Sequence, residues 1–192
     1  MSADLNYTLK RLVRGLYSEN HAVKQGFFLA SVVVLGRFSS IIEYEKYLAF
    51  IQEETKVNSG MKNPEVHAMM MGRMMCASAV IDSKWPNANT KMFVPLIDML
   101  AEIYHAQEFL REAIQVVLVK ILKTNPSLLE MIVTKFKLYE EKILATSSDL
   151  SLYLTIKDLY SFGKSKELDK LFSFDIFGNK KHLATISTLL KS

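Results

Sequence analysis

Residues that turn or break a chain are scarce in this sequence. Its 192 residues include only seven glycines and four prolines. An all-β fold needs a turn roughly every 8 to 12 residues, and glycine and proline supply many of those turns. The scarcity therefore favours long helices and predicts an all-α fold.

The spacing of apolar residues supports helices along most of the chain. The clearest pattern lies in residues 107–123, where apolar pairs recur every four residues, as they do on the inward face of a helix. We predict a first helix over residues 5–16 capped by Asp4, and a second from Ser18-Glu19-Asn20 to Phe38. Further helices are predicted over residues 43–56, 64–83, 91–105, 107–123, 127–144, 149–161, 164–172 and 180–191, with Asn63 capping the fourth.

Two of these helices contain unusually long runs of apolar residues. The second contains the longest apolar run, residues 26–36, which is well short of the roughly 20 residues that span a membrane. We interpret it as a buried core helix and expect no membrane partner. The fourth holds Met69, Met70 and Met71 in succession, and three consecutive residues cannot share one helix face. This run indicates an inner helix with neighbours on both sides.

The order of the helices suggests how they pack. Connections of a few residues force neighbouring helices to pack antiparallel, and helix pairs at roughly 40-residue spacing are typical of stacked HEAT or armadillo units. A helical bundle would show the same short loops, but nine or ten helices exceed a four-helix core. We therefore predict an α-solenoid in one helical-repeat domain over residues 1–192, with further helix pairs in 86–144 and less regular helices in 145–192.

The residue types that carry metal or redox chemistry are sparse. A single cysteine, Cys76, excludes an internal disulfide and a cysteine-based zinc site, and it fits a reducing compartment. The four histidines have no partner at the spacing of metal ligands on a helix. We expect no metal and no cofactor.

Catalysis by nucleotidyl transfer would require carboxylates that converge on Mg²⁺. The aspartates of this chain are scattered singly over helix faces and turns: Asp82, Asp98, Asp149, Asp158, Asp169 and Asp175. We therefore expect no catalytic residue and interpret the chain as a binding protein and not an enzyme.

A small group of cations lies near the start of the chain. Lys10 and Arg14 are one helical turn apart, and Arg11 lies beside both. Such a patch binds phosphates in a salt-sensitive manner, but an ordinary solvated helix face shows the same pattern. Both interpretations remain open from the pattern alone.

The same segment carries a resemblance to a known family. The residues from Leu5 to Leu16, followed by Ala22 and Gly26-Phe27, resemble the opening motif of the Myb-binding protein 1A family, whose fungal members are called DNA polymerase phi or polymerase V. Met71-Gly72-Arg73-Met74 with Ile81-Asp82-Ser83 is similar to the family's Gly-Arg helix further along. The resemblance is clearest over residues 5–85.

This resemblance implies an α-solenoid of the nucleus and nucleolus, acting in ribosomal RNA gene transcription and ribosome biogenesis. Nuclear or nucleolar proteins are the implied partners, with ribosomal RNA or DNA as further candidates. The positions that match the family motifs are Lys10, Arg11, Arg14, Gly15 and Arg73. Lys10, Arg11, Arg14 and Arg73 are our candidate binding residues, although each also suits a purely structural role.

Two alternatives to a nucleolar scaffold remain at this stage. One is a cytosolic adaptor solenoid that binds peptides or proteins, and the other is the nucleotidyltransferase that the polymerase name suggests. Because family members are far longer than this chain, we also expect it to be a fragment or a short member.

Overall fold

The computed structural model describes residues 2–85, 89–138, 143–160 and 180–189. The secondary structure in these ranges is entirely helical, which confirms the predicted all-α class. The contacts divide the chain into two compact units, residues 1–125 and 126–192. The single domain predicted for residues 1–192 stays a prediction.

Nine α-helices fall within the described ranges. The first unit holds α1 (Ala3–Leu16), α2 (His21–Phe38), α3 (Tyr44–Glu54), α4 (Asn63–Asp82), α5 (Phe93–Ala106) and α6 (Arg111–Thr124), and the second holds α7 (Leu129–Lys135), α8 (Ser147–Tyr160) and α9 (Lys180–Leu189). Short 3₁₀ turns precede α5, α6 and α7. The predicted helix over residues 164–172 lies outside the described residues.

Two predicted helix caps are wrong by one or two positions. The side chain of Ser2, and not that of Asp4, accepts the hydrogen bond from the Leu5 amide that caps α1. At α4 the cap position is Lys62 instead of Asn63, because the Glu65 carboxylate accepts from the Lys62 amide at 2.8 Å. The carboxylate three residues into the helix replaces the asparagine as the capping group.

The seventh helix is much shorter than the predicted 127–144. It ends at Lys135, and Lys137 follows with a φ of 54°, in the left-handed region that stops a helix. The amides of Phe136, Lys137 and Leu138 bond back to carbonyl oxygens of the last turn. The apolar spacing continues past this point, so periodicity alone did not reveal the stop.

α4 is the central helix of the first unit. It packs against α1, α2, α3, α5 and α6. Met74, Cys76, Ala77 and Val80 are buried on it, and residues 69–71 are each half-buried. This arrangement confirms the inner position indicated by the methionine run.

The second helix is not the buried core helix that its composition predicts. Only Ser31 and Leu35 are buried on α2, and Leu29 is 65% exposed while Val33 is 53% exposed. One side of α2 packs against α1 and α4, and the other side faces outward. Because α2 carries apolar residues on all of its sides, its sequence pattern does not show which side is packed and which is exposed.

Two glycines allow α1 to approach its neighbours closely. A Cβ added at Gly15 would clash with the ring of Phe27 on α2. A Cβ at Gly72 of α4 would lie 2.8 Å from the Cβ of Tyr17, closer than such atoms approach in proteins. Both positions therefore require the absence of a side chain, which explains why these glycines occur inside helices despite their cost there.

Aromatic contacts hold the start of the connection between α4 and α5. The ring of Trp85 meets Tyr44 edge-on, with the ring centroids 5.0 Å apart, and lies 6.2 Å from Tyr47. The Tyr44 hydroxyl also donates to the carbonyl oxygen of Met92. The first helical residues of α3 thus anchor both ends of this connection.

The second unit has its own small core. Ile143, Leu150, Tyr153 and Ile186 are buried together there. The Thr146 side chain accepts from the Asp149 amide at 3.1 Å and caps the start of α8. α8 therefore begins slightly before the predicted residue 149.

We predict that Gly15→Ala lowers the free energy of unfolding by about 1–3 kcal/mol, because the new methyl group overpacks the contact with Phe27. Gly26→Ala is the matched control, since no atom lies within 4 Å of a Cβ there. It should raise stability by about 0.5–1 kcal/mol through helix propensity. Urea unfolding measures both, and equal effects of the two substitutions would contradict the close approach of α1 and α2.

Candidate functional site

The C-terminal end of α3 is electrostatically unfavourable when considered alone. Its last residues are Gln52, Glu53 and Glu54, and no basic residue lies in its last turn. The C-terminal end of a helix carries partial negative charge from its unpaired carbonyl groups, so cations stabilise it and carboxylates do not. Cations placed near this end by other helices therefore stabilise α3.

Two of these cations come from α1. The guanidinium of Arg14 makes a bidentate contact with Glu54, with Nε 2.6 Å from Oε2 and Nη2 3.2 Å from Oε1. The ammonium of Lys10 lies 3.7 Å from Oε1 of the same carboxylate and 5.3 Å from the centroid of the Phe50 ring. Only 9% of the Glu54 side chain is exposed. Such paired, well-oriented contacts fix the position of α1 against α3.

The third cation comes from α4. Arg73 donates from Nη2 to the carbonyl oxygen of Thr55 at 2.8 Å and from Nε to the Thr55 hydroxyl at 2.9 Å. Thr55 is fully buried, and its hydroxyl donates to the carbonyl oxygen of Ile51. Arg73 thus satisfies the buried C-cap of α3. We call Lys10, Arg14, Glu54, Thr55 and Arg73 the α3 cation cluster.

The pKa directions in the cluster follow from these contacts. The hydrogen bond from Arg14 is the main cause that lowers the pKa of Glu54 below its ordinary value of 4.5, with the charges of Arg14 and Lys10 acting in the same direction. Burial lowers the pKa of Arg73, and the carboxylate of Glu102 opposes this effect. Glu54 therefore stays ionised throughout the neutral range.

Arg11 differs from the other candidate binding residues. It is exposed, and no hydrogen bond or ion pair reaches it from the part of the chain that the structure describes. The structure thus brings Lys10, Arg14 and Arg73 together at one helix end and leaves Arg11 in solvent. A role of these four residues in binding a partner stays a prediction.

Sequence reasoning missed the two residues on which the cations converge, Glu54 and Thr55. The available signal was a pair of glutamates, Glu53 and Glu54, near a helix C-terminus, where carboxylates are unfavourable. A cation cluster on an adjacent helix could have been matched to it, but the pairing of α1 with α3 cannot be read from helical periodicity.

A second concave surface lies on another face of α3. It is a groove of about 430 Å³ between α3 and the start of α5. Its lining includes the apolar side chains of Leu48 and Met92 together with Glu45, Gln52 and Lys91. Apolar surface beside amide, carboxylate and ammonium groups suits the side chain of a protein partner.

Neither a metal centre nor a membrane span is found in the described ranges. Residues 2–85, 89–138, 143–160 and 180–189 contain no group of three or more His, Cys, Asp or Glu side chains that could hold a metal ion. None of the helices in these same ranges is both long and apolar enough to cross a membrane.

Comparison with known proteins gives a match to a family model. A family model described as DNA polymerase phi matches residues 7–192, well past the segment of clearest resemblance. No curated protein and no solved structure matches the chain. The matched range contains every residue of the α3 cation cluster.

We predict that the stability lost in Glu54→Gln depends on pH. Because the folded-state pKa of Glu54 is lowered, its ionised form stabilises the fold fully above its unfolded pKa, near 4.5, and this contribution disappears as the pH falls through the lowered folded pKa. The urea midpoint of Glu54→Gln should thus lie below that of the unmodified chain at neutral pH, and the two midpoints should converge only as the pH falls below the lowered folded pKa of Glu54.

The control for this measurement is Glu53→Gln. It removes a charge at the same helix end but no ion pair within the described chain, so its stability at neutral pH should equal or exceed that of the unmodified chain. Identical behaviour of the two variants would show that Glu54 is not held by Lys10 and Arg14.

Proposed function

Because the chain belongs to the DNA polymerase phi family, we propose that it is a non-enzymatic nucleolar scaffold in ribosomal RNA gene transcription and ribosome biogenesis. It acts by presenting helical surfaces to nuclear or nucleolar proteins and turns over no substrate. Two observations support this proposal: the family match and the contacts that the motif residues make between helices.

The observation that carries this proposal is the α3 cation cluster. Lys10, Arg14 and Arg73 match the family motifs, and each contacts the end of α3. Gly15, a further motif residue, permits the contact with Phe27. Four of the five matching positions thus serve to join helices, which is the use expected in a scaffold whose framework must be rigid.

The helix contacts support a repeat architecture. α1 packs against α2 and α5 packs against α6, as partners in successive antiparallel pairs do. α2 contacts α4, and α4 contacts α6, so the second helices of successive pairs lie against one another. We propose that the first unit is a short solenoid of the HEAT or armadillo kind.

A protein partner suits the charges better than a nucleic acid does. Nucleic-acid affinity comes mainly from cations that neutralise phosphates. Lys10 and Arg14 share the single carboxylate of Glu54, which lowers the net charge of the original patch from +3 to +2. The groove beside α3 offers apolar and polar groups together, as protein-binding surfaces do.

We predict that structured ribosomal RNA binds the purified chain weakly and with little dependence on salt. Three phosphate contacts would give a slope of log affinity against log salt of about 2 to 3 in magnitude, whereas one contact gives a slope of about 0.7 to 0.9. Fluorescence titration across a salt series, with an acidic peptide in parallel, measures this slope. We expect a magnitude below about 2, because the net charge of the patch corresponds to at most two phosphate contacts.

Arg11→Gln is the informative variant, and Lys123→Gln on α6 is its matched control for the loss of one exposed positive charge. Arg11 is exposed and outside the α3 cation cluster, so its substitution should leave the fold intact. A slope with a magnitude of about 2 or more, which falls in Arg11→Gln but not in Lys123→Gln, would contradict the proposal of a protein-binding scaffold. It would indicate that the chain binds RNA directly.

A further inference from the structure

The outward side of α2 is apolar and unusually small in its side chains. Residues 22, 26, 29, 30, 33 and 37 share this side at helical spacing, and each of them is exposed. We call this surface the outer α2 face: Ala22, Gly26, Leu29, Ala30, Val33 and Arg37. Within the face, Leu29 and Val33 expose more than half of their surface.

Gly26 is not explained by packing within the chain. A Cβ at this position would meet no atom within 4 Å, in contrast to Gly15 and Gly72. A glycine inside a helix costs about 0.5–1 kcal/mol relative to alanine. Nothing in the first unit requires that cost, so the open space above Gly26 is available to an approaching helix.

The sizes of the side chains on this face are complementary about its centre. If two copies of α2 lie antiparallel across a two-fold axis between residues 29 and 30, Gly26 of one copy faces Val33 of the other. Leu29 then faces Ala30. Each large side chain meets a small one, which is the condition for close helix packing in an isologous interface.

The charges are complementary about the same centre. Arg37 lies near the C-terminal end of α2 and Glu19 lies just before its N-terminal end. Both are exposed, and neither has an ion pair within the described residues. In the antiparallel arrangement Arg37 faces Ala22, so Glu19 lies within one helical turn of it at each end of the interface.

We propose that the outer α2 face binds a second copy of this chain, in an antiparallel dimer centred between Leu29 and Ala30. Side-chain size and charge both fit a copy of the same helix about one point, and a partner of other sequence would require neither coincidence. α2 is about 27 Å long, and one helix pair buries less than a standard interface of about 1,600 Å². We therefore expect a weak dimer in exchange with the monomer.

Sedimentation velocity of the full chain across the micromolar range tests this dimer. We expect a concentration-dependent shift from monomer to dimer. Gly26→Leu should raise the dissociation constant at least about tenfold, because the new side chain fills the space that Val33 of the other copy occupies. At concentrations where both chains are monomeric its melting temperature should not fall, since the position is open in the monomer.

A charge exchange tests the antiparallel arrangement. Arg37→Glu and Glu19→Arg should each weaken the dimer, and the two together in one chain should restore it, while Lys123→Glu on α6 should have no effect. A chain that stays monomeric at all concentrations overturns the proposal. So does a dimer that Gly26→Leu leaves unchanged, or one that the double exchange fails to restore.

Discussion

The first unit depends on the compensation of negative charge at the end of α3. This helix ends in two glutamates and has no base in its last turn. Arg14 and Lys10 neutralise Glu54, and Arg73 bonds the buried carbonyl oxygen of Thr55. One helix end thus fixes α3 against both α1 and α4, and α4 in turn contacts α5 and α6.

Close packing and charge act on the same helices. Gly15 and Gly72 bring α1 against α2 and α4, so that the cations of α1 and α4 reach the end of α3. Arg14 and Gly15 are adjacent in α1, and Gly72 and Arg73 are adjacent in α4, so the close packing and the electrostatic contacts come from neighbouring residues. A motif that looks like a nucleic-acid patch is, in this structure, mostly part of the framework.

The sequence predicted the positions of most helices, but it did not predict which side of α2 is exposed or which residues form contacts between helices. Local signals such as Pro64 and the apolar pairs of residues 107–123 located α4 and α6. The exposed side of α2 was missed because, in a helix that is apolar on all sides, the pattern does not show which side faces the core. The α3 cation cluster was missed because Glu54 and Arg14 are 40 residues apart, and only tertiary packing joins them.

Hydrogen exchange of the backbone amides in the last turn of α3 tests the central claim most directly. We expect Arg14→Gln and Arg73→Met both to lower protection at residues 51–55, since each removes a contact at this helix end. Arg11→Gln, which changes an exposed arginine in the same motif, should leave protection there unchanged. Equal protection in all three variants would show that the motif cations do not hold α3.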